Sequence, residues 1–390
     1  MPDSTAQSSV PLASTRKDDH VRLAAAQQSE HRTTTSSPWV DVRFVHDALA
    51  GVDAARVDIG TSVVGSSWPL PFYINAMTGG SEHTGRINRA LAIAARETGV
   101  ALATGSMSVG LDSPETLPTF RVMRDENPSG FVFANVGIER SPDDALRAIE
   151  AIGADALQVH INAAQETVMP EGSRDFSSWP ASLEAIVGAV DVPVVAKEVG
   201  FGLTARALRR LAELGVAAAD VSGNGGTDFV RIENDRRAAR DFAYLAGWGQ
   251  SAVECLLDAS ATGSPEASTL PLLASGAVRT PLDVVRALAL GARGVGVSGA
   301  FLSTVLDAGA LADGGPDPDA GAAALIALIE TWREHVTSLF ALLGAADLDA
   351  LSRTDLIIRG EAASFAAARD IDIAAWAHRA TGGPSWEKDA

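Results

Sequence analysis

From residue 70 onward, short apolar runs alternate with amphipathic helical segments, and this regularity leaves few possible folds. Eight runs read as strands: residues 71–75, 100–104, 131–135, 156–160, 193–197, 217–222, 271–275 and 294–298. Helical periodicity occurs near residues 83–98, 114–126, 142–152, 181–190, 204–214, 250–259 and 280–290. Alternation of this kind forms a parallel sheet, and eight units predict a (β/α)8 TIM barrel. A doubly wound open sheet is the alternative, but no linker divides the eight units.

The segments on either side of the predicted barrel differ from it in character. Residues 1–15 are rich in Ser, Thr and Ala, which predicts a disordered leader, and residues 16–69 form an N-terminal arm. The barrel itself takes residues 70–304. Ala/Leu-rich helical patterns occupy residues 305–380 and predict a C-terminal helical extension, and residues 381–390 form a frayed tail.

Composition narrows the classes of partner. The net charge of −18, from 49 acidic and 31 basic residues, disfavours nucleic acid or an anionic membrane as a partner. No apolar run reaches the roughly 18 residues that a membrane span requires, and the first residues lack the apolar core of a signal peptide. Cys255 is the only cysteine, which points to a cytoplasmic protein without an intrachain disulfide.

The fourth predicted strand ends in an unusually polar segment. His160, Asn162, Gln165 and Glu166 follow one another within seven positions, and no turn residue separates them. A parallel α/β barrel carries its chemistry at the carboxyl ends of the strands, so we expect these side chains to face an active site. A solvated loop is the alternative, but such a loop normally uses Gly, Pro, Ser or Asp. His160 on its own fits a packed core histidine equally well.

The other predicted strands end in small, hydroxyl and amide residues. These endings include Asn75 to Gly80, Thr104 to Ser108, Asn135, Ser222 to Thr227, Ser275 to Arg279 and Ser298 to Ala300. A ring of this kind leaves room for a flat ligand with many hydrogen-bonding edges. The Gly-rich endings of strands seven and eight fit a phosphate. The G-x-G-x-x-G spacing of residues 294–299 is weak support for a dinucleotide site, because it lies within the last strand.

Three further sets of candidate site residues are charged or titratable. Lys197 ends an apolar strand, where a buried ammonium needs an anion. A salt bridge with Glu198 is the purely structural alternative to a ligand. Glu166 is the best metal candidate and suits Mg²⁺ rather than zinc, since no Cys/His cluster exists. Arg16, Lys17 and His20 open a helical segment, either as a solvated basic helix start or as a site for an anion.

The motifs in order resemble those of type 2 (FMN-dependent) isopentenyl diphosphate isomerases. The matching segments are Arg16-Lys17-Asp18-Asp19-His20, residues 75–80, 160–166, 197–202, 220–227 and 275–280. The resemblance covers residues 16 to about 375. It implies a barrel enzyme that binds FMN and Mg²⁺, is reduced by NADPH, and interconverts isopentenyl and dimethylallyl diphosphates by moving a proton. It also implies a cytoplasmic homo-oligomer, a homotetramer or larger.

The same resemblance implies roles for individual residues. Gln165, His160 and Asn162 are the candidate catalytic residues, and Glu166 holds Mg²⁺ on the diphosphate. The substrate is expected to contact Arg16, Lys17, His20, Ser106, Ser108 and Gln165. The flavin is expected to contact Ala76, Met77, Thr78, Ser106, Asn135, Lys197, Ser222, Thr227, Gly276, Ala277, Arg279, Gly299 and Ala300.

Two positions depart from the family pattern. Many members carry an arginine where this chain has Ser108, which removes one expected diphosphate cation. Ala277 replaces a usual glycine, which is tolerable if its φ is negative.

Two alternatives remain: an FMN-dependent 2-hydroxy-acid oxidase or dehydrogenase, which would need a histidine near residues 275–279, and a flavin-binding paralogue without catalysis.

Overall fold

Eight parallel strands close into a barrel, and their order around the ring follows their order along the chain. The structure, a computed structural model, describes residues 12–33, 37–260, 270–311 and 314–380. The strands are β1 (Val42–Phe44), β2 (Thr61–Val63), β3 (Ser66–Trp68), β4 (Phe72–Ile74), β5 (Ala101–Ala103), β6 (Val132–Gly137), β7 (Ala156–Ile161), β8 (Val194–Glu198), β9 (Ala218–Asp220), β10 (Leu272–Ser275), β11 (Gly294–Val297) and β12 (Leu356–Ile358). Strands β4 to β11 form the ring, which closes where β11 pairs with β4. The predicted (β/α)8 barrel is confirmed, and each predicted strand overlaps an observed one.

Helices surround the barrel and extend beyond it on both sides. They are α1 (Leu12–Thr33), α2 (Glu82–Thr98), α3 (Ser108–Asp112), α4 (Pro118–Glu126), α5 (Pro142–Ile152), α6 (Ala163–Val168), α7 (Trp179–Ala189), α8 (Ala205–Glu213), α9 (Phe229–Arg236), α10 (Ala252–Ser260), α11 (Pro281–Ala289), α12 (Gly299–Asp307), α13 (Pro318–Leu342), α14 (Leu348–Leu351) and α15 (Gly360–Ala368). Residues 12–15 of the predicted leader belong to α1. Its residues 1–11, like the predicted tail at 381–390, lie outside the described residues.

Local sequence signals explain where these helices begin and end. At the start of α2, the Ser81 side chain accepts a hydrogen bond from the backbone N–H of Thr84, whose side chain accepts one in return. Such a capping box satisfies two N–H groups that the helix itself cannot pair. The helix ends at Gly99, whose φ of +74° is the left-handed conformation that glycine adopts without strain.

A hairpin closes the amino-terminal end of the barrel. Strands β2 and β3 pair antiparallel, and Trp68 at the end of β3 packs against Tyr73, Phe131 and Phe133, which lie at or near the starts of barrel strands. Trp68 is 2% exposed. Because aromatic side chains fill this end, the opposite end of the barrel is the one that can hold a ligand.

The C-terminal segment contains a strand that its helical pattern did not predict. Strand β12 pairs antiparallel with β1, with Val42 opposite Ile358. The long helix α13 packs on the barrel, where Trp332 contacts Phe72 and Phe301. Among the described residues, no helix combines the length and apolar character needed to cross a membrane.

Candidate active site

A cavity of about 740 Å³ opens at the carboxyl ends of the barrel strands. Residues that follow each of the eight barrel strands line it, and helix α1 contributes a further wall. Of the residues predicted from the sequence to form the site, Ala300 is the exception. It lines an adjoining cavity of about 240 Å³ that shares Gln28, Arg279 and Gly299 with the large one. The volume is typical of sites that bind cofactors or small substrates.

Helix α1 lies across the cavity and is attached by polar contacts. Arg16 forms an ion pair with Glu171 at 3.1 Å, and the Gln27 side chain exchanges hydrogen bonds with the backbone of Asp228, at 3.2 and 2.8 Å. Because α1 begins at Leu12, Arg16 and Lys17 lie in its second turn. The prediction that these cations open a helix is therefore wrong, and the helix dipole, whose effect is confined to the first turn, does not act on them.

Lys17 and His20 reach the cavity from α1 in a buried environment. Burial, together with the charge of Arg16, lowers the pKa of Lys17 to about 8, against the opposing charge of Glu233. The Nε2 atom of His20 lies 3.0 Å from Glu233 Oε1. Burial lowers the pKa of His20 despite that carboxylate, so its imidazole is neutral at neutral pH.

The polar residues at the end of β7 and just after it form two hydrogen-bonded groups, one around His160 and one around Asn162. His160 Nδ1 lies 2.9 Å from Asn135 Oδ1, and burial, with the charges of Lys17 and Lys197, lowers the pKa of His160 to about 3. The imidazole is therefore neutral. The Nδ2 group of Asn162 donates to Glu166 Oε1 at 3.0 Å and to Gln165 Oε1 at 3.3 Å.

Glu166 faces the cavity without a surrounding group of metal ligands. Its second carboxylate oxygen accepts the backbone N–H of Ser173 at 3.0 Å. The described residues contain no group of three or more His, Cys, Asp or Glu side chains that could hold a metal ion. A cation at Glu166 would accordingly take most of its ligands from water and from a bound anion.

Glu233 on α9 is a functional candidate that the sequence reading missed. Its side chain is fully buried, accepts a hydrogen bond from Gln165 Nε2 at 2.9 Å, and pairs with Arg236 and His20. It thereby fixes which end of the Gln165 amide faces Asn162. The sequence around Glu233 is as polar as an ordinary solvated helix face, so no pattern distinguishes this carboxylate.

At the floor of the cavity, Lys197 does not form a salt bridge with the Glu198 side chain, which was the structural alternative. Its Nζ donates to the Glu198 carbonyl at 2.8 Å and to Ser222 Oγ at 3.2 Å, and lies 4.0 Å from Asp220 Oδ2. The Glu198 carboxylate instead accepts the backbone N–H groups of Val199, Gly200 and Phe201.

The Gly-rich segments after β10 and β11 bring backbone groups close together. A side chain at Gly276 would place its Cβ 2.0 Å from the Gly223 carbonyl oxygen, so only glycine fits there. Ala277 has a φ of +56°, so the negative φ on which its tolerance depends is not observed. The first N–H groups of α12, which begins at Gly299, have no partner within that helix and suit an anion.

The residues present fit a bound FMN. A long cavity joins the Lys197 floor to the Gly-rich segments at Gly276 and Gly299. The hydroxyl of Thr78 lines it and, among the described residues, is buried without a hydrogen-bond partner. An unpaired buried hydroxyl is costly, and a ligand with polar edges would satisfy it.

Ser108, at the position of the expected arginine, is next to an arginine from the loop after β6. Arg140 Nε donates to Ser108 Oγ at 3.1 Å, and Ser106 Oγ donates to the same oxygen at 3.2 Å. Arg140 also holds Asp112, whose pKa is lowered by that contact. Arg140 lines the cavity and was missed from the sequence, because it lies 32 residues from Ser108.

Comparisons with known proteins are consistent in both sequence and fold. Residues 150–358 match the family model of FMN-dependent dehydrogenases. An isopentenyl-diphosphate delta-isomerase from Kitasatospora griseola is 53% identical over 366 residues, which are 94% of this chain and 95% of that protein. The protein of the same name from Staphylococcus haemolyticus (strain JCSC1435) is 43% identical over 358 residues, covering 92% and 97% of the two chains.

Solved structures share the fold at much lower identity. A mandelate oxidase variant with a monooxide FMN adduct has a TM-score of 0.59 at 20% identity, over 87% of this chain and 92% of that one. A flavocytochrome b2 variant with pyruvate bound has a TM-score of 0.61 at 22% identity, over 86% and 80%.

Proposed function

Because this chain belongs to the isopentenyl-diphosphate delta-isomerases, within the wider family of FMN-dependent dehydrogenases, we propose that it interconverts isopentenyl and dimethylallyl diphosphates in the cavity at the barrel mouth. The observation that carries this proposal is the arrangement of that cavity. The basic side chains of α1 face the amide and carboxylate cluster after β7, and both adjoin the Gly-rich end that fits a flavin phosphate. The reaction adds one proton and removes another, with no net oxidation.

FMN, when bound and reduced, would supply a proton donor and acceptor at the alkene. Neutral His160 and neutral His20 are weak candidates for a strong acid at the alkene, since burial lowers the pKa of both. The Gln165 amide has no useful pKa. We assign the ring of the flavin to Ala76, Met77, Thr78, Ser106, Asn135, Lys197, Ser222 and Thr227, and its phosphate to Gly276, Ala277, Arg279, Gly299 and Ala300.

The diphosphate is assigned to the cations of α1 and to Ser108. Arg16 and Lys17 provide charge, and His20 and Ser106 complete the polar wall. Ser108 Oγ accepts hydrogen bonds from Arg140 and Ser106, so its own proton is free to point to a ligand oxygen. Arg140 thus orients a hydroxyl donor at the place where the family pattern has an arginine.

The cluster after β7 orients the alkene end of the substrate. Glu233 fixes the amide nitrogen of Gln165, so the amide keeps one orientation against Asn162. His160 is held by Asn135. These side chains also replace water around the reacting carbons, which protects the charged species that protonation of an alkene produces.

The remaining assignments rest on the resemblance and on single features. Glu166 would hold Mg²⁺, and the metal would help to neutralise the diphosphate, because hard cations prefer carboxylate and phosphate oxygens. NADPH is the proposed reductant of the flavin. A cytoplasmic location agrees with the single, buried Cys255, and we propose a homo-oligomer, a homotetramer or larger.

One assay tests the function against its rivals. The purified protein is examined for a flavin spectrum and then incubated without oxygen with NADPH, Mg²⁺ and isopentenyl diphosphate. We expect dimethylallyl diphosphate to form without stoichiometric consumption of NADPH. Stoichiometric consumption, or oxidation of a 2-hydroxy acid, would contradict the proposal, and flavin binding without either reaction would indicate a non-catalytic paralogue.

A further inference from the structure

We propose that Asp220 is a positioning residue for Lys197. Its buried carboxylate keeps the lysine a cation at the floor of the cavity, and so fixes the positive charge that a flavin bound there meets. This role presupposes the FMN binding proposed above, but the charge of Lys197 itself does not depend on it.

Asp220 is surrounded by hydrogen-bond donors. Its side chain is fully buried and accepts from the Tyr73 hydroxyl at 2.8 Å, from Asn75 Nδ2 at 3.1 Å and from the Ser222 backbone N–H at 3.0 Å. Ser275 Oγ donates to it as well, at 2.8 Å. The amide and backbone N–H groups can only donate, and the oxygens of Asp220 are the acceptors that satisfy them. Burial and Asp220 together raise the pKa of Tyr73 well above 10, which keeps the phenol a donor.

Lys197 needs such a counter-charge because it is almost completely buried. It is 6% exposed, and its two hydrogen-bond partners, the Glu198 carbonyl and Ser222 Oγ, are neutral. Burial lowers the pKa of Lys197, and the charge of Asp220 is the largest influence against it. The closest carboxylate oxygen is Asp220 Oδ2, at 4.0 Å.

The other titratable groups near Lys197 compensate it less. Glu198 on the same strand is held by three backbone N–H groups, and its charge opposes the burial of Lys197 less than that of Asp220 does. His160, opposite Lys197 on β7, is neutral because burial and two lysines lower its pKa to about 3. The counter-charge of Lys197 on β8 therefore comes from Asp220 on the neighbouring strand, β9.

Asp220 acts through its neighbours rather than on a ligand. It lies one layer below the cavity surface, where Asn75, Ser275 and Lys197 stand between it and the open space. Three barrel strands, β4, β9 and β10, hold the carboxylate in place. A charge fixed in this way costs no rearrangement when a ligand arrives.

The lysine content of the chain makes a direct test possible. Lys17, Lys197 and Lys388 are its only lysines, so a protein labelled with ¹³C at lysine Cε gives three signals, and the Lys197→Arg variant identifies that of Lys197. In the wild-type protein we expect Lys197 to remain protonated throughout the neutral range. In Asp220→Asn its proton affinity should fall at least tenfold.

Tyr73→Phe is the matched control, because it removes one hydrogen bond to Asp220 and leaves the charge. It should shift the Lys197 titration by less than threefold. A second measurement uses the FMN-loaded protein. In Asp220→Asn, the reduction potential of the flavin should depend more steeply on pH in the range where Lys197 titrates. In Lys197→Arg, the pH dependence should stay as in the wild type, because arginine remains charged.

Three results would overturn the proposal: a neutral Lys197 in the wild-type protein at pH 7, an unchanged titration in Asp220→Asn, or an equal shift in Tyr73→Phe. The wild-type titration decides the question should Asp220→Asn fail to fold. A wild-type protein that binds no FMN would refute the proposed function instead, and the lysine titration in that protein would still test the role of Asp220.

Discussion

Replacing Glu233 by glutamine should loosen helix α1 from the barrel. Glu233 accepts a hydrogen bond from Gln165 on α6, lies 3.0 Å from His20 Nε2 on α1, and pairs with Arg236 on its own helix. Gln165 and Arg236 both donate to it. A glutamine of nearly the same size keeps one accepting oxygen but turns an NH₂ group toward donors, and it leaves Arg236 without its buried counter-charge.

The size of the effect follows from the ionisation of Glu233. Burial opposes the charged form, but the contact with His20 and its charge when protonated, the hydrogen bond from Gln165 and the charge of Arg236 hold the pKa at about 2, below the ordinary 4.5. That difference corresponds to about 3 kcal/mol. Because His20 is neutral at pH 7, its charge does not contribute there, and we expect a loss of about 2 kcal/mol.

Amide hydrogen exchange in α1 measures this loss. A 2 kcal/mol loss corresponds to roughly 30-fold faster exchange. The matched control is Glu30→Gln. Glu30 lies on α1 and pairs with Arg231 of α9 at 2.7 Å, with both side chains about half exposed. That change should cost less than about 1 kcal/mol.

The pH dependence has a definite sign. A carboxylate whose pKa is depressed in the folded state stabilises it fully above the ordinary pKa of 4.5 and loses that contribution as pH falls toward 2. The difference between wild type and Glu233→Gln should therefore shrink below about pH 4. Equal effects of Glu233→Gln and Glu30→Gln, or a difference that is unchanged at pH 3, would refute this account.

Three further changes have expected outcomes. Ala277→Gly should stabilise the protein by up to about 1 kcal/mol in urea unfolding, because Ala277 has a φ of +56°; a clear destabilisation would contradict this. Ser108→Ala should raise the KM for the diphosphate roughly tenfold or more, with FMN affinity unchanged, since a hydroxyl donor to an anion is lost; an unchanged KM would remove Ser108 from the substrate site. Glu166→Gln should weaken activation by Mg²⁺ and leave bound FMN in place, and loss of the flavin would show that the metal is misplaced.

Local pattern was sufficient for the barrel and for most of the site. Periodicity, caps and turn residues specify the eight barrel strands and most of the helices between them within short stretches of chain, as at Ser81 and Gly99 for α2. Parallel strands that close into a ring bring their carboxyl ends together, so the sequence alone predicts that residues as distant as Asn75 and Ser275 face one cavity.

The sequence pattern did not predict features that depend on a partner far away in the chain. Strand β12 reads as part of a helical region, and only its pairing with β1, more than 300 residues away, makes it a strand. The role of Trp68 likewise depends on the aromatic side chains that it meets at the base of the barrel.

The sequence by itself determined the alternation of strands and helices, and with it the ring of polar residues at the mouth of the barrel. Only the tertiary structure decided which partner each buried charge meets: Arg236 for Glu233, Ser108 and Asp112 for Arg140, and Asp220 for Lys197. The physical reason is that hydrophobic periodicity is a property of neighbouring residues. The ionisation of a buried group depends on the partners that folding brings within a few ångströms of it.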